Sequence, residues 1–90
     1  MGRIKVEKNP TEKRLNDLGV RYWSTWTCDV SDFDWHYDEN EACFFLEGEV
    51  VVEAGQDKVE IKKGDLAFFP KDLDCRWRVI KPVRKVYKLG

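Results

Sequence analysis

Residues 34–48, DWHYDENEACFFLEG, place one histidine, several carboxylates and a cysteine close together. Imidazole, carboxylate and thiolate donors at such spacing are what a transition-metal ion needs to be held on a strand pair. The same groups suit acid–base work, with Glu41 as a general acid or base whose proton affinity an aromatic pocket would raise. Cys75 would be a nucleophile only beside a base able to make its thiolate. Strand alternation puts Phe33, Trp35 and Tyr37 on one face and Asp34, His36 and Asp38 on the other. The apolar face belongs inside, so His36, the one histidine of the chain, should meet water. A Cys–His pair is then not expected. Cys43 shares the face of Glu41, and with Cys75 the three could form a thiolate-rich cluster suited to zinc. The competing reading, weighed ahead of it, makes Cys43 and Cys75 small buried apolar groups. Glu41 is either such an acid or base, or a structural acceptor for Tyr37 or the Trp77 indole. Trp35, Tyr37 and Trp77 either line a pocket for a flat or sugar-like ligand or simply fill a core.

These side chains need strands to hold them. In NPTEKRLNDLG, Asn9 can cap a helix, Pro10 suits its first position, and Glu12 stands three residues after the cap. Gly19 supplies a left-handed stop. The helix, about residues 10–18, has only Leu15 and Leu18 as a narrow apolar stripe, so it is a brace on something larger. Everything after Gly19 reads as strand: VRYWSTW, FDWHY, EACFFLEG, a hairpin turning near Gly55, LAFFP ending at Pro70, DCRWRVI running to Pro82, and VRKVYKL. About eight short strands with frequent turn signals describe an all-β sandwich or barrel over about residues 20–89. Arg76 and Arg78 alternate outward against Cys75, Trp77 and Val79. No linker divides the 90 residues, which form one domain.

Composition limits the partners. Sixteen basic and seventeen acidic residues leave a net charge of -1, and no basic stripe points to nucleic acid or to an anionic membrane. No apolar run approaches the ~20 residues of a membrane span. The charged start MGRIKVEKNP is unlike a secretory signal, and Val6 stands where a myristoylation signal wants Ser or Thr. Three widely spaced cysteines are not a disulfide framework and suggest free thiols in the cytoplasm.

The spacing resembles the cupin superfamily, small jelly-roll barrels with two sequence blocks. EACFFLEG matches E-x6-G of the first block through Glu41 and Gly48, and GDLAFFP matches G-x5-P of the second through Gly64 and Pro70. The chain also looks like compact single-domain cupins grouped with (S)-ureidoglycine aminohydrolase. The resemblance implies two histidines before Glu41 and a third in the second block, all on a metal. Here Trp35 and Tyr37 fill the first two positions; a spacing one residue longer would give Asp34 and His36, but these lie on the outer face. Asp72 replaces a motif glycine, Cys75 the third histidine, and Val79 an asparagine. Only Glu41 remains of four ligands. The reading is therefore a cupin frame that binds a small organic metabolite at Trp35, Tyr37, Glu41, Cys43, Cys75 and Trp77. No cofactor and no histidine-based metal are expected; a divalent ion on Glu41, Cys43 and Cys75 is the alternative. An enzyme of hydrolase or isomerase type using Glu41, or a dimerising structural module, are the competing functions. Outward Phe44 and Leu46 suggest a homodimer.

Overall fold

A computed structural model describes residues 3–90; Met1 and Gly2, on which a lipid-anchor signal would begin, lie outside the described residues. The chain runs through β1 (Lys5–Glu7), α1 (Glu12–Leu18), a 3-10 turn (Val20–Tyr22), β2 (Ser24–Cys28) and β3 (Ser31–His36). It continues through β4 (Glu41–Ala54), β5 (Asp57–Lys62), β6 (Leu66–Phe69) and β7 (Asp74–Leu89). The long antiparallel strands β4 and β7 pair along most of their lengths. β6 pairs the first part of β4 and carries β1 at its far edge, while β2 pairs the last part of β7. At the other ends, β5 pairs Glu49–Ala54 and β3 pairs Asp74–Val79. β4 and β7 thus belong to two faces of one antiparallel barrel, and they must bend where they pass from one to the other.

Gly48 and Pro82 make that bend. The β4–β7 register slips between Phe45 and Val50, and Gly48 sits at φ 96, a conformation that favours glycine. A Cβ on Gly48 would overlap the Pro82 carbonyl oxygen. The extra residue flips the inward set of β4: Cys43 and Phe45 are buried before the bulge, Val50 and Val52 after it. On β7 the phase does not change, and Cys75, Trp77, Val79, Val83 and Lys85 all turn inward. Phe45, Phe69, Trp77 and Ile61 fill the centre.

The helix begins at Glu12 with Thr11 as its cap, Oγ1 accepting from the Arg14 N–H at 3.1 Å. Asn9 instead adopts a left-handed turn at φ 49, which places Pro10 before the cap. Gly19 closes the helix at φ 75 as its position suggested. No α1 residue is buried; the helix is tied to β1 by Arg14 and Glu7, 2.7 Å apart. VRYWSTW is not extended throughout, because Val20–Tyr22 form the 3-10 turn. Strand β1 was not foreseen, since its three residues are too few to show a period. Pro82 does not end a strand; lying at the bulge, it leaves β7 continuous, so that the described residues form seven strands. Phe44 and Leu46 are half-buried, so they are not the open apolar face expected of them. Among the described residues no helix is long and apolar enough to cross a membrane.

Asp72 shows how a motif position can keep its geometry with a different residue. It stands where the second block has glycine, and it holds φ 67. Aspartate is among the few residues that visit this region at modest cost. The turn is fixed by the Asp72 N–H donating to the Tyr37 carbonyl at 2.7 Å and the Tyr37 N–H donating to the Leu73 carbonyl at 3.0 Å.

Candidate functional site

Glu41, the first residue of β4, pairs with Leu89, the last of β7. At this end the barrel holds a cavity of about 240 Å³. Trp26, Phe33, Trp35, Tyr37, Trp77 and Tyr87 supply its aromatic walls, Leu89 its apolar edge, and Glu41 and Lys85 its charged groups. The strand registers set these positions. Phe33 lies across from Trp77 and Trp35 across from Cys75, while Trp26 lies across from Lys85. The rings hold one another: Tyr37 stacks on Phe69 at 4.8 Å, Phe33 on Trp77 at 6.1 Å, and Trp26 meets Trp77 edge-on at 5.7 Å. Trp35 is about half exposed, 51%, and forms the rim.

The charged pair is the distinctive chemistry. Lys85 Nζ lies 2.6 Å from Glu41 Oε2, with the side chains only 6% and 10% exposed. The ammonium also sits 4.7 Å from the Trp77 ring centroid, 4.9 Å from that of Trp26 and 5.9 Å from that of Tyr87. Ring faces carry partial negative charge and attract a cation. Desolvating two ions is costly, and the carboxylate and the rings together offset that cost. Among the described residues the buried indole N–H of Trp77 has no hydrogen-bond partner. The Tyr37 hydroxyl and the Cys75 thiol are close to Trp77, but neither accepts from it with hydrogen-bonding geometry.

Of the residues singled out from sequence, Trp35, Tyr37, Glu41 and Trp77 meet around the cavity. Cys43 and Cys75 do not line it, contrary to expectation. Cys43 is fully buried in the core, and Cys75 is buried beside a separate surface depression with Asp34, His36 and Asp74. Burial pushes the Cys43 thiol up to about 12 and the Cys75 thiol up to about 11. His36 is no base for Cys75, since its Nδ1 lies 2.7 Å from Asp74 on the outer face. A nucleophilic Cys75 is therefore set aside. Glu41 is not held by Tyr37 or the Trp77 indole as a structural acceptor; its partner is Lys85.

Lys85 was missed. The signal was present: the alternation of Cys75, Trp77 and Val79, carried past Pro82, reaches Val83, Lys85 and Tyr87. Ending a strand at Pro82 broke the count.

A histidine-based metal, which the resemblance implies, does not fit these residues. Trp35 has no lone pair to give, and burial, with the nearby Glu41 charge, holds the Tyr37 phenol protonated. Glu41 is already engaged by an ammonium, which would also repel a second cation. Among the described residues no group of three or more His, Cys, Asp or Glu side chains converges as metal ligands do, so Glu41, Cys43 and Cys75 form no such cluster.

A barrel of two long bent strands with its cavity at one end defines a cupin frame. The EutQ-like cupin domain profile matches residues 15–87, and the chain belongs to that family. It is similar to a DUF861 family protein from Thermotoga maritima, with 49% identity over 98% of this chain and 100% of that one, at a TM-score of 0.94. It is also similar to a putative ethanolamine utilization protein Q from Salmonella typhimurium, with 28% identity and a TM-score of 0.67. That match covers 72% of this chain and 53% of the Salmonella protein, so the present chain spans about half its length. The Clostridium difficile EutQ protein shares the fold at a TM-score of 0.67 and 23% identity. No curated protein matches the sequence.

Proposed function

We propose that the protein binds a small organic molecule in the aromatic cavity, with Glu41 and Lys85 as its polar contacts and without a histidine-based metal. The observation that carries this reading is the buried ion pair in a cavity wall. A buried pair adds little to stability over apolar side chains of equal volume, so charges kept here are better explained by recognition. A volume of about 240 Å³ lies just below the ~300–1,000 Å³ of typical ligand pockets. The occupant is then a small metabolite, and with three free cysteines the cytoplasm is its compartment in this reading. The narrower likeness to the (S)-ureidoglycine aminohydrolase group is kept as a likeness of frame, because the ligand set of its metal chemistry is missing. A larger open groove of about 730 Å³ is less suited, because its ion pairs, Arg3 with Asp57 and Arg14 with Glu7, are exposed to water, which weakens any charge recognition there. A fragment screen by saturation-transfer NMR tests the reading. Bound fragments should weaken several-fold in Trp35→Ala, which removes the rim. Fragments that ignore this substitution would point to another site.

A further inference from the structure

Lys85 and Glu41 leave hydrogen-bonding positions unfilled in the cavity wall. An ammonium carries three N–H donors, and among the described residues Lys85 Nζ makes one hydrogen bond, to Glu41 Oε2. Glu41 accepts from Lys85 through one oxygen, and no hydrogen bond reaches Oε1 among the described residues. The wall therefore offers surplus donors next to a free acceptor lone pair. We infer that the occupant is a planar, neutral molecule with an amide edge, its carbonyl oxygen on Lys85 and its N–H on Glu41. This rests on the binding role proposed above.

Charge and shape exclude the alternatives. Lys85 and Glu41 sum to zero, so a carboxylate ligand would leave one net negative charge among negatively polarised ring faces. An alkylammonium ligand would suit an aromatic cage with a carboxylate, but Lys85 already occupies that place. An apolar ring alone would cover the spare Lys85 donors and Glu41 Oε1 without pairing them. A cyclic amide keeps the charge at zero, presents acceptor and donor side by side, and is flat enough to lie against the rings. Its carbonyl oxygen can accept from Lys85 while its neighbouring N–H donates to Glu41 Oε1.

The test uses four probes of similar size on the intact chain: 2-pyridone, toluene, benzoate and benzylammonium, followed by the tryptophan indole NMR signals. The expected result is 2-pyridone binding at least about tenfold tighter than toluene, moving the Trp26 and Trp77 signals, with neither ion displacing it. In Glu41→Leu/Lys85→Met, which removes both charges together, 2-pyridone and toluene should bind alike. Equal binding of the two in the unmodified protein, displacement by benzylammonium, or a preference that survives the double substitution would overturn the inference. If none of the four binds, the cavity reading itself fails.

Discussion

Replacing Lys85 by methionine while Glu41 stays would strand a buried carboxylate beside aromatic rings. The expected loss is about 3–5 kcal/mol of stability, whereas Glu41→Leu/Lys85→Met should be neutral or more stable by about 1–4 kcal/mol. Urea denaturation of the three proteins measures both, and equal losses in single and double variants would deny that the pair is a unit. The cysteines allow a second test at this scale. With the Cys43 and Cys75 thiols pushed up to about 12 and about 11, a thiol reagent at pH 8 should modify only the half-buried Cys28 in folded protein. Rapid labelling of Cys75 would reopen a chemical role for it. Among single residues, those on FDWHY were legible because period two survives in a short straight strand. Lys85 was not, since a lone lysine in a basic run reads as a solvated face until its strand is counted through the proline.

The bend of β4 against β7 depends on one backbone position. Gly48→Ala would combine a φ of 96 with an overlap against the Pro82 carbonyl and the Val83 Cα. The expected cost is about 3 kcal/mol or more, seen as a lower urea midpoint, and an unchanged midpoint would mean the bend is not held there. The turns flanking the cavity are joined on the outer face, where His36 meets Asp74 at 2.7 Å and has Asp38 and Asp72 further off. The hydrogen bond to Asp74, then the surrounding carboxylates, raise the His36 pKa above its usual 6.5. A raised folded value means that the stabilisation is present below about 6.5 and is lost as pH rises through the folded pKa. Melting temperature should therefore fall further between pH 6 and 8 in the native protein than in His36→Gln; parallel curves would contradict the tie. At this scale the helix stop at Gly19 and the Gly55 hairpin were readable from local turn chemistry. The helix cap and the 3-10 turn were not, because Asn9 and Thr11 both suit a cap and only the packing of the loop selects one.

The whole-molecule architecture was the most legible part, since glycine and proline spacing marks the turns that any barrel of this kind must make. What the sequence hid was pairing between distant segments: the bulge at Gly48, the union of two expected strands into β7, and the meeting of Glu41 with Lys85 across 44 positions. Association also belongs to this scale. Phe44 and Leu46 are partly covered, and the open apolar surface instead includes Tyr22, 82% exposed, and Leu89, which flank one shallow depression with Leu18 and Trp23. The homodimer expected from Phe44 and Leu46 would have to use that surface instead. Sedimentation at micromolar concentration should give twice the 10.7 kDa chain mass, and Tyr22→Asp should restore the single chain; only the single chain in the native protein would count against it. Native mass spectrometry with elemental analysis of untagged protein shows whether the cupin cavity uses a lysine–glutamate pair in place of a histidine-held metal. The expected result is a small organic adduct that disappears in Glu41→Leu/Lys85→Met, with no stoichiometric iron, manganese or nickel. About one such metal per chain, lost in Glu41→Ala and retained in His36→Ala, would contradict it.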